Sequence, residues 1–488
     1  MRYTLLFITL MFAPTVAAQK KVNPVVSKKP AAFAIVNIHI DKNTKQTLDY
    51  YWFDLIGYTT AAARLNKTGD FVLRLKIENQ VKEAVIDWGD NDIKLDLIAK
   101  DTIKLSWEAN NFDRTLVIKA TKPERTTELY KANEHYHNIK KDDVMLRSAP
   151  LNNLTYKALY TKINALYNKA IKSLLHGGVT PGVKKTAVDL YFNYVNLLSG
   201  YGLLPKHDLH LINPTNESRS VPILNTPWAY KTEQTGYYKI SRSYRDFIFN
   251  YVRLNTLTFN LWKTRRLKSA DYEKSFAWKE CYAGLDAFNV TEMRDWYVTR
   301  CIIGEAFQFR TFEDANTVYR EFAPQVKTAR YSDTLKKFYA AIKRLKPGGP
   351  APIFTLKDEN GKQVSLADFK GRVVYIDFWG VYCGPCIGAI KESVPALHQK
   401  YKGKQVVFIN ICIDTDEKNW KANLKKLNLD GVNLIAPGSS RNPVAKAYNI
   451  DGIPHYYLID QDGKIVDNNA ADPFEKRLSQ QLDELLKI

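Results

Sequence analysis

Cys383 and Cys386, separated by two residues in the stretch WGVYCGPC (379–386), carry the most reactive side chains in this sequence. That spacing serves three chemistries: clipping a metal, stapling a loop, or passing electrons through a reversible disulfide. A structural zinc needs four ligands. No second closely spaced Cys or His pair accompanies this one, and His398, Cys412 and His455 have no ligand spacing, so no metal is expected. An inert staple is the plainer alternative, and the flanking residues argue against it. The run VVYIDF (373–378) is apolar except for one acid, as a buried central strand would be, and a helical pattern follows the cysteines to about Tyr401. Cys383 then lies at a helix N-terminus, where unpaired backbone N–H groups and the macrodipole stabilise an anion. The thiolate, which is the nucleophile, is favoured there. Pro385 fits the first turn, where its missing donor costs nothing. Cys386 falls one turn inward on the same side, so the two sulfurs can close a small ring. Cys383 would attack a substrate disulfide and Cys386 would resolve the mixed disulfide. Asp377 either faces a wet sheet end, or is buried with a raised pKa and exchanges a proton with Cys386. The neighbouring cysteines favour the second.

The elements around this pair alternate. IFTLKDENGKQVSL holds two short runs about Asn360-Gly361, a hairpin signal. VVFINICI (406–413) reads as a second buried strand, and Thr415 or Asp416 can cap a helix through EKNWKANLKKL. YYLID, the turn QDGK and IV form a closing hairpin, and Asp472 before Pro473 starts a final helix. Upstream of KPGGPAP (346–352), which reads as a linker, the patterns differ. Residues 30–121 hold short alternating runs such as FVLRLKI (71–77), with polar turns between several of them. That pattern suggests an all-β sandwich or small barrel. From about 122 to 345 apolar residues recur at helical intervals, as in LTYKALYTKINALYNKAIKSLL (154–175), around a polar loop at 211–236. The chain therefore divides into 19–121, all-β; 122–345, all-α; a linker, 346–352; and 353–488, α/β.

A chain of 488 residues is too long for one core. The net charge of +20 invites a nucleic-acid reading. However, residues 350–488 hold about 18 basic and 17 acidic side chains, so nearly all the excess lies upstream. There the cations are scattered singly, with no basic stripe among aromatics and no zinc-finger spacing, so no nucleic-acid partner is expected. Residues 1–18 have an early cation at Arg2, an apolar stretch from Leu5 to Phe12, and small residues at Val16, Ala17 and Ala18, the order of a signal peptide cleaved after Ala18. No cysteine lies near that junction, so a lipid anchor is not expected, and no later segment is apolar enough to span a bilayer. The expectation is an exported, soluble, periplasmic protein. Of the five cysteines, Cys412 reads as a buried small hydrophobe, and Cys281 and Cys301, on neighbouring helices, could pair.

VVYIDFWGVYCGPC followed by GIPHYYLIDQDGKIV resembles the thioredoxin superfamily. The leading APIFTLKDENGKQVSLADFKGRVV narrows the resemblance to the TlpA/ResA-like thiol–disulfide oxidoreductases, over roughly residues 350–488. The resemblance implies a thioredoxin fold for 353–488, with Cys383 as nucleophile, Cys386 as resolving thiol and Asp377 as buried acid. It also implies a cis Pro454, with Ile453 offering its backbone to an extended substrate. Trp379, Tyr382, Ile453 and Pro454 are the expected substrate contacts. The expected redox group is the Cys383–Cys386 disulfide, with no other cofactor. The partners implied are a disulfide-bearing client protein and a membrane thiol reductase as electron donor. Tyr382 stands where tryptophan is usual and Ala389 where a glutamate is common. His455 stands where threonine is common, and it tunes the thiolate, contacts substrate, or is a surface or packing residue. Two rival functions are an envelope binding or scaffold protein acting through residues 19–345, and a peroxiredoxin-like peroxide reductase. The second wants a threonine three residues before the reactive cysteine, where this chain has Gly380.

Overall fold

The computed structural model describes residues 32–148, 235–258 and 274–487, apart from 57, 79–80 and 89–90, together with Lys185, Val188, Asp189, Phe192 and Asn193. The expected signal peptide, the helical pattern at 154–175 and nearly all of the expected loop at 211–236 lie outside the described residues.

Among the described residues eight strands come first: β1 (Ala32–Asp41), β2 (Thr47–Phe53), β3 (Tyr58–Arg64), β4 (Asp70–Ile77), β5 (Lys82–Ile86), β6 (Ile93–Leu97), β7 (Thr102–Glu108) and β8 (Val117–Ala120). They form two four-stranded sheets, ordered β4-β1-β7-β8 and β3-β2-β5-β6. Period-two alternation explains how the sheets meet. On β4, Phe71, Leu73, Leu75 and Ile77 are buried while Val72, Arg74 and Lys76 face out. These side chains join Leu48, Ile86 and Leu95 of the other sheet in one apolar cluster. On β6 every residue is buried, including Lys94 and Asp96. Its second face is covered by helix α1 (Pro123–Ser148), whose Asn133 accepts from the Lys94 N–H at 3.0 Å.

The longer described helices that follow are α2 (Arg242–Thr258), α3 (Phe276–Ala287), α4 (Thr291–Cys301), α5 (Phe312–Phe322) and α6 (Ala329–Lys343), with a π-helical turn at Ile302–Ala306. Their core is aromatic, built on Trp278, Trp296, Tyr297 and Tyr331. Cys281 and Cys301 are buried in it as free thiols.

The last region is a seven-stranded sheet ordered β10-β9-β13-β12-β11-β14-β15. Its strands are β9 (Thr355–Asp358), β10 (Gln363–Ser365), β11 (Val373–Trp379), β12 (Val406–Cys412), β13 (Val432–Ile435), β14 (His455–Ile459) and β15 (Ile465–Asp467). The central strands β11, β12 and β13 are parallel and the others pair antiparallel. Gly361, with φ of +82°, makes the β9–β10 turn that a side chain at that position would strain. Helices α7 (Gly384–Glu392), α8 (Val394–Lys400), α9 (Glu417–Leu427), α10 (Pro443–Ala447) and α11 (Lys476–Leu486) complete the region.

Three expectations need correction. The helix after the cysteines is two helices, because Pro395, lacking an N–H, sits in the first turn of α8 and interrupts the ladder at Ser393. The last helix starts at Lys476, since Asp472 closes a turn that accepts from the Glu475 N–H. Residues 346–352 are also no free linker. Gly348 and Ala351 donate to Ile465 and Gly463 at 2.8 and 3.0 Å, and the Ile465 N–H donates to Gly349 at 2.8 Å. Leu345 and Ala351 are buried in the core of the seven-stranded sheet. The prolines and glycines here shape an edge pairing rather than a loose tether.

Candidate active site

Strand β11 ends at Trp379, and a short loop turns the chain into α7. Cys383 is the N-cap of that helix, with an extended backbone (φ −89°, ψ 99°). Its Sγ accepts from the Cys386 N–H at 3.2 Å, one of the donors that a helix start leaves unpaired. Cys383 and Cys386 are joined as a disulfide, with Cα atoms 5.2 Å apart. Cys383 is half-buried and Cys386 is 1% exposed, so only the first sulfur is open to attack.

Asp377 is buried on β11, paired in register with Asn410 on one side and Tyr456 on the other. Burial, and then the carboxylate of Asp472, push its pKa up to about 8. One of its carboxyl oxygens has no hydrogen-bond partner among the described residues. The reading of a carboxylate facing a wet sheet end is therefore wrong. Asp377 alternates onto the same face of β11 as Trp379, and Trp379 packs against Cys386.

Trp379 itself corrects an expectation. It is fully buried beneath α7 with Cys386, Cys412 and Trp420, so it packs under the Cys386 sulfur and cannot touch a substrate. Tyr382 is the opposite case: 77% exposed, its hydroxyl accepting from Asn419 Nδ2 at 3.0 Å. The Ile453–Pro454 bond is cis, both residues are half-buried, and Ile453 packs against the cluster that holds the two cysteines. Cys412 is buried in that cluster, and burial pushes its thiol up to about 12. His455 faces away into the β14–β15 contact. Its Nε2 donates to the Asn468 carbonyl at 2.9 Å, and burial holds the imidazole below its ordinary pKa. It packs rather than tunes the thiolate.

Sequence reading missed Asp414. Its Oδ1 accepts from the Val381 N–H at 2.9 Å and its Oδ2 from the Tyr382 N–H at 3.0 Å. The carboxylate thus holds the loop that presents Cys383. Gly380 makes this possible, since a Cβ there would collide with Asp414 and with the Ile453 side chain. The same collision leaves no room for a threonine at the place a peroxide reductase wants one. Only its position, just past the end of a buried strand, could have drawn attention to Asp414.

Among the described residues, no helix is long and apolar enough to cross a membrane. Among the described residues, Glu83, Asp96 and Asp189 are the one group of acids close enough to hold a metal ion, and the Lys185 ammonium already sits among all three.

Residues 346–483 match the Redoxin family. Thiol-disulfide oxidoreductase ResA of Bacillus cereus (strain ATCC 10987 / NRS 248) is 31% identical over 153 residues, which are 31% of this chain and 82% of that protein. ResA of Bacillus subtilis (strain 168) is 32% identical over 133 residues, 26% of this chain and 69% of that one. A thiol-disulfide oxidoreductase from Bacteroides fragilis NCTC 9343 has a solved structure that is 30% identical, with a TM-score of 0.26, covering 28% of this chain and 99% of its own. The cysteine pair at a helix start agrees with the Redoxin match and with the two ResA relatives, and the chain belongs to the TlpA/ResA-like thiol–disulfide oxidoreductases of the thioredoxin superfamily.

Proposed function

We propose that this chain is an exported, soluble, periplasmic reductase of protein disulfides. The observation that carries the reading is the asymmetry of the pair, with Cys383 accessible at a helix start and Cys386 buried beside Trp379. In the dithiol state the Cys383 thiolate attacks a client disulfide. The client S–S bond breaks, its leaving thiolate takes a proton, and a mixed disulfide with Cys383 forms. Burial lifts Asp377 to about 8, so its carboxylate is a base strong enough to take the proton of the Cys386 thiol. The Cys386 thiolate then displaces the client's second sulfur and closes the Cys383–Cys386 disulfide. Two electrons have passed from enzyme to client, and a membrane thiol reductase would restore the dithiol. Ile453 packs against the cluster that holds Cys383, and with Pro454 and the exposed Tyr382 it is the surface for the client's extended segment.

The test is insulin reduction combined with alkylation. The reduced protein should precipitate insulin, and Cys383 should react with iodoacetamide at pH 7 about tenfold faster than a free cysteine. Cys386→Ala should trap a mixed disulfide with client protein. Ordinary alkylation kinetics together with intact insulin would defeat the proposal.

A further inference from the structure

The helical region grips the client-facing turn from both sides. Upstream of Pro454, the Asp451 N–H donates to Gln308 Oε1 at 3.2 Å, and Asn449 Nδ2 donates to the Phe307 carbonyl at 3.4 Å. Downstream, Asn468 Oδ1 accepts from the N–H of Phe312, the first residue of α5, at 3.0 Å. The Asn468 carbonyl accepts from His455, the residue after Pro454. Gln308 and Asn468 are 6% and 7% exposed. Buried amides are stable only when bonded, and each of these two has an oxygen committed to a backbone N–H across the interface. Phe307 and Gln308 directly follow the π-helical turn, a distortion that re-aims the residues after it. Gln308, Asn449, Ile450 and Asp451 also line a cleft of about 760 Å³ where the three regions meet.

We propose that Gln308 and Asn468 are positioning residues, through which the helical region sets the Ile453–Pro454 turn for client binding. The inference rests on the reading that this turn receives the client. It assigns the upstream chain a task within the reaction, rather than a separate activity.

Steady-state reduction of a disulfide-bonded peptide by the full chain tests it, with the small neutral hydroxyethyl disulfide as a second substrate. Gln308→Ala and Asn468→Ala should each raise KM for the peptide about tenfold, with kcat changed less than about twofold, because a misplaced turn weakens client binding. Gln308→Glu and Asn468→Asp keep an acceptor for the same N–H groups and should return KM to within about twofold of the parent. Hydrogen exchange over residues 449–456, compared with β11, checks folding and should show faster exchange confined to the turn in the alanine variants. Unchanged KM in folded alanine variants, or acceptor-keeping variants as impaired as alanine, overturns the positioning role alone. A parent protein that reduces neither substrate overturns the disulfide-reductase reading, and this inference with it.

Discussion

Asp377 binds its proton more tightly in the folded chain than in the unfolded one, since burial and then Asp472 lift its pKa from 3.8 to about 8. The sign of the linkage follows. Stability from this group is fully present below pH 3.8 and is lost as pH rises through about 8, where a charge must be held in an apolar strand. Asp377→Asn carries no charge at any pH. Its melting temperature should exceed that of the parent by about 4 °C or more at pH 9, and the advantage should vanish near pH 4. The same variant should resolve mixed disulfides about a hundredfold more slowly, because Asn can neither take nor return a proton. Calorimetry across pH and stopped-flow kinetics read the two effects separately. A constant difference in melting temperature from pH 4 to 9 would show that Asp377 is not a buried acid. Asp414 is the contrasting carboxylate. Both of its oxygens accept backbone N–H groups, so it acts as a fixed tether for the active-site loop.

Among the elements, what the sequence made legible was the periodicity of each strand and the chemistry of the cysteine pair. Strand β4 alternates as expected because one of its faces meets the core. Strand β6 does not, since its second face lies under α1, a partner that local pattern cannot announce. Strand β3 reads YTTAAAR, whose run of three alanines carries no apolar–polar alternation, so its pairing with β2 rather than its pattern marks it as a strand. Trp379 is no substrate contact because α7 covers it, and nearness to Cys383 in sequence does not announce that cover. Residues 346–352 misled through composition, as prolines and glycines mark turns and edge pairings alike. The pairing makes a specific expectation. Ala351 is 4% exposed, so Ala351→Asp places a carboxylate in the core of the seven-stranded sheet. It should destabilise that region by about 2–4 kcal/mol, visible as a lower urea midpoint. A free linker would tolerate the change, and an unaltered midpoint would return 346–352 to that role.

Across the whole molecule, a few polar ties join regions far apart in sequence. Arg441 pairs with Asp49 at 3.1 Å, and Trp296 Nε1 donates to the Leu55 carbonyl at 2.5 Å. The deepest tie is Lys185, 1% exposed, whose ammonium meets Glu83 at 2.9 Å and Asp96 at 2.8 Å on the β-sheet side, and Asp189 one helical turn away. Lys94 approaches Glu83 and Asp189 at 3.7 and 3.4 Å, so two cations face three carboxylates. Such a cluster adds little net stability while complete, because both signs were taken out of water. Removing one cation is a different matter. Lys185→Met leaves three buried carboxylates against one ammonium and should cost about 3–5 kcal/mol at pH 8. The deficit should shrink toward pH 4.5. Burial disfavours the Glu83 carboxylate and Lys185 opposes that, so without this lysine the variant regains stability as protons are taken up. Adding Asp189→Leu, which removes one of the uncompensated charges, should recover part of the loss at pH 8. Urea unfolding of the three proteins at both pH values measures this. Equal deficits at pH 4.5 and pH 8 would mean that the carboxylates are hydrated and that this cluster is not a buried tie between the β-sheet region and the helices.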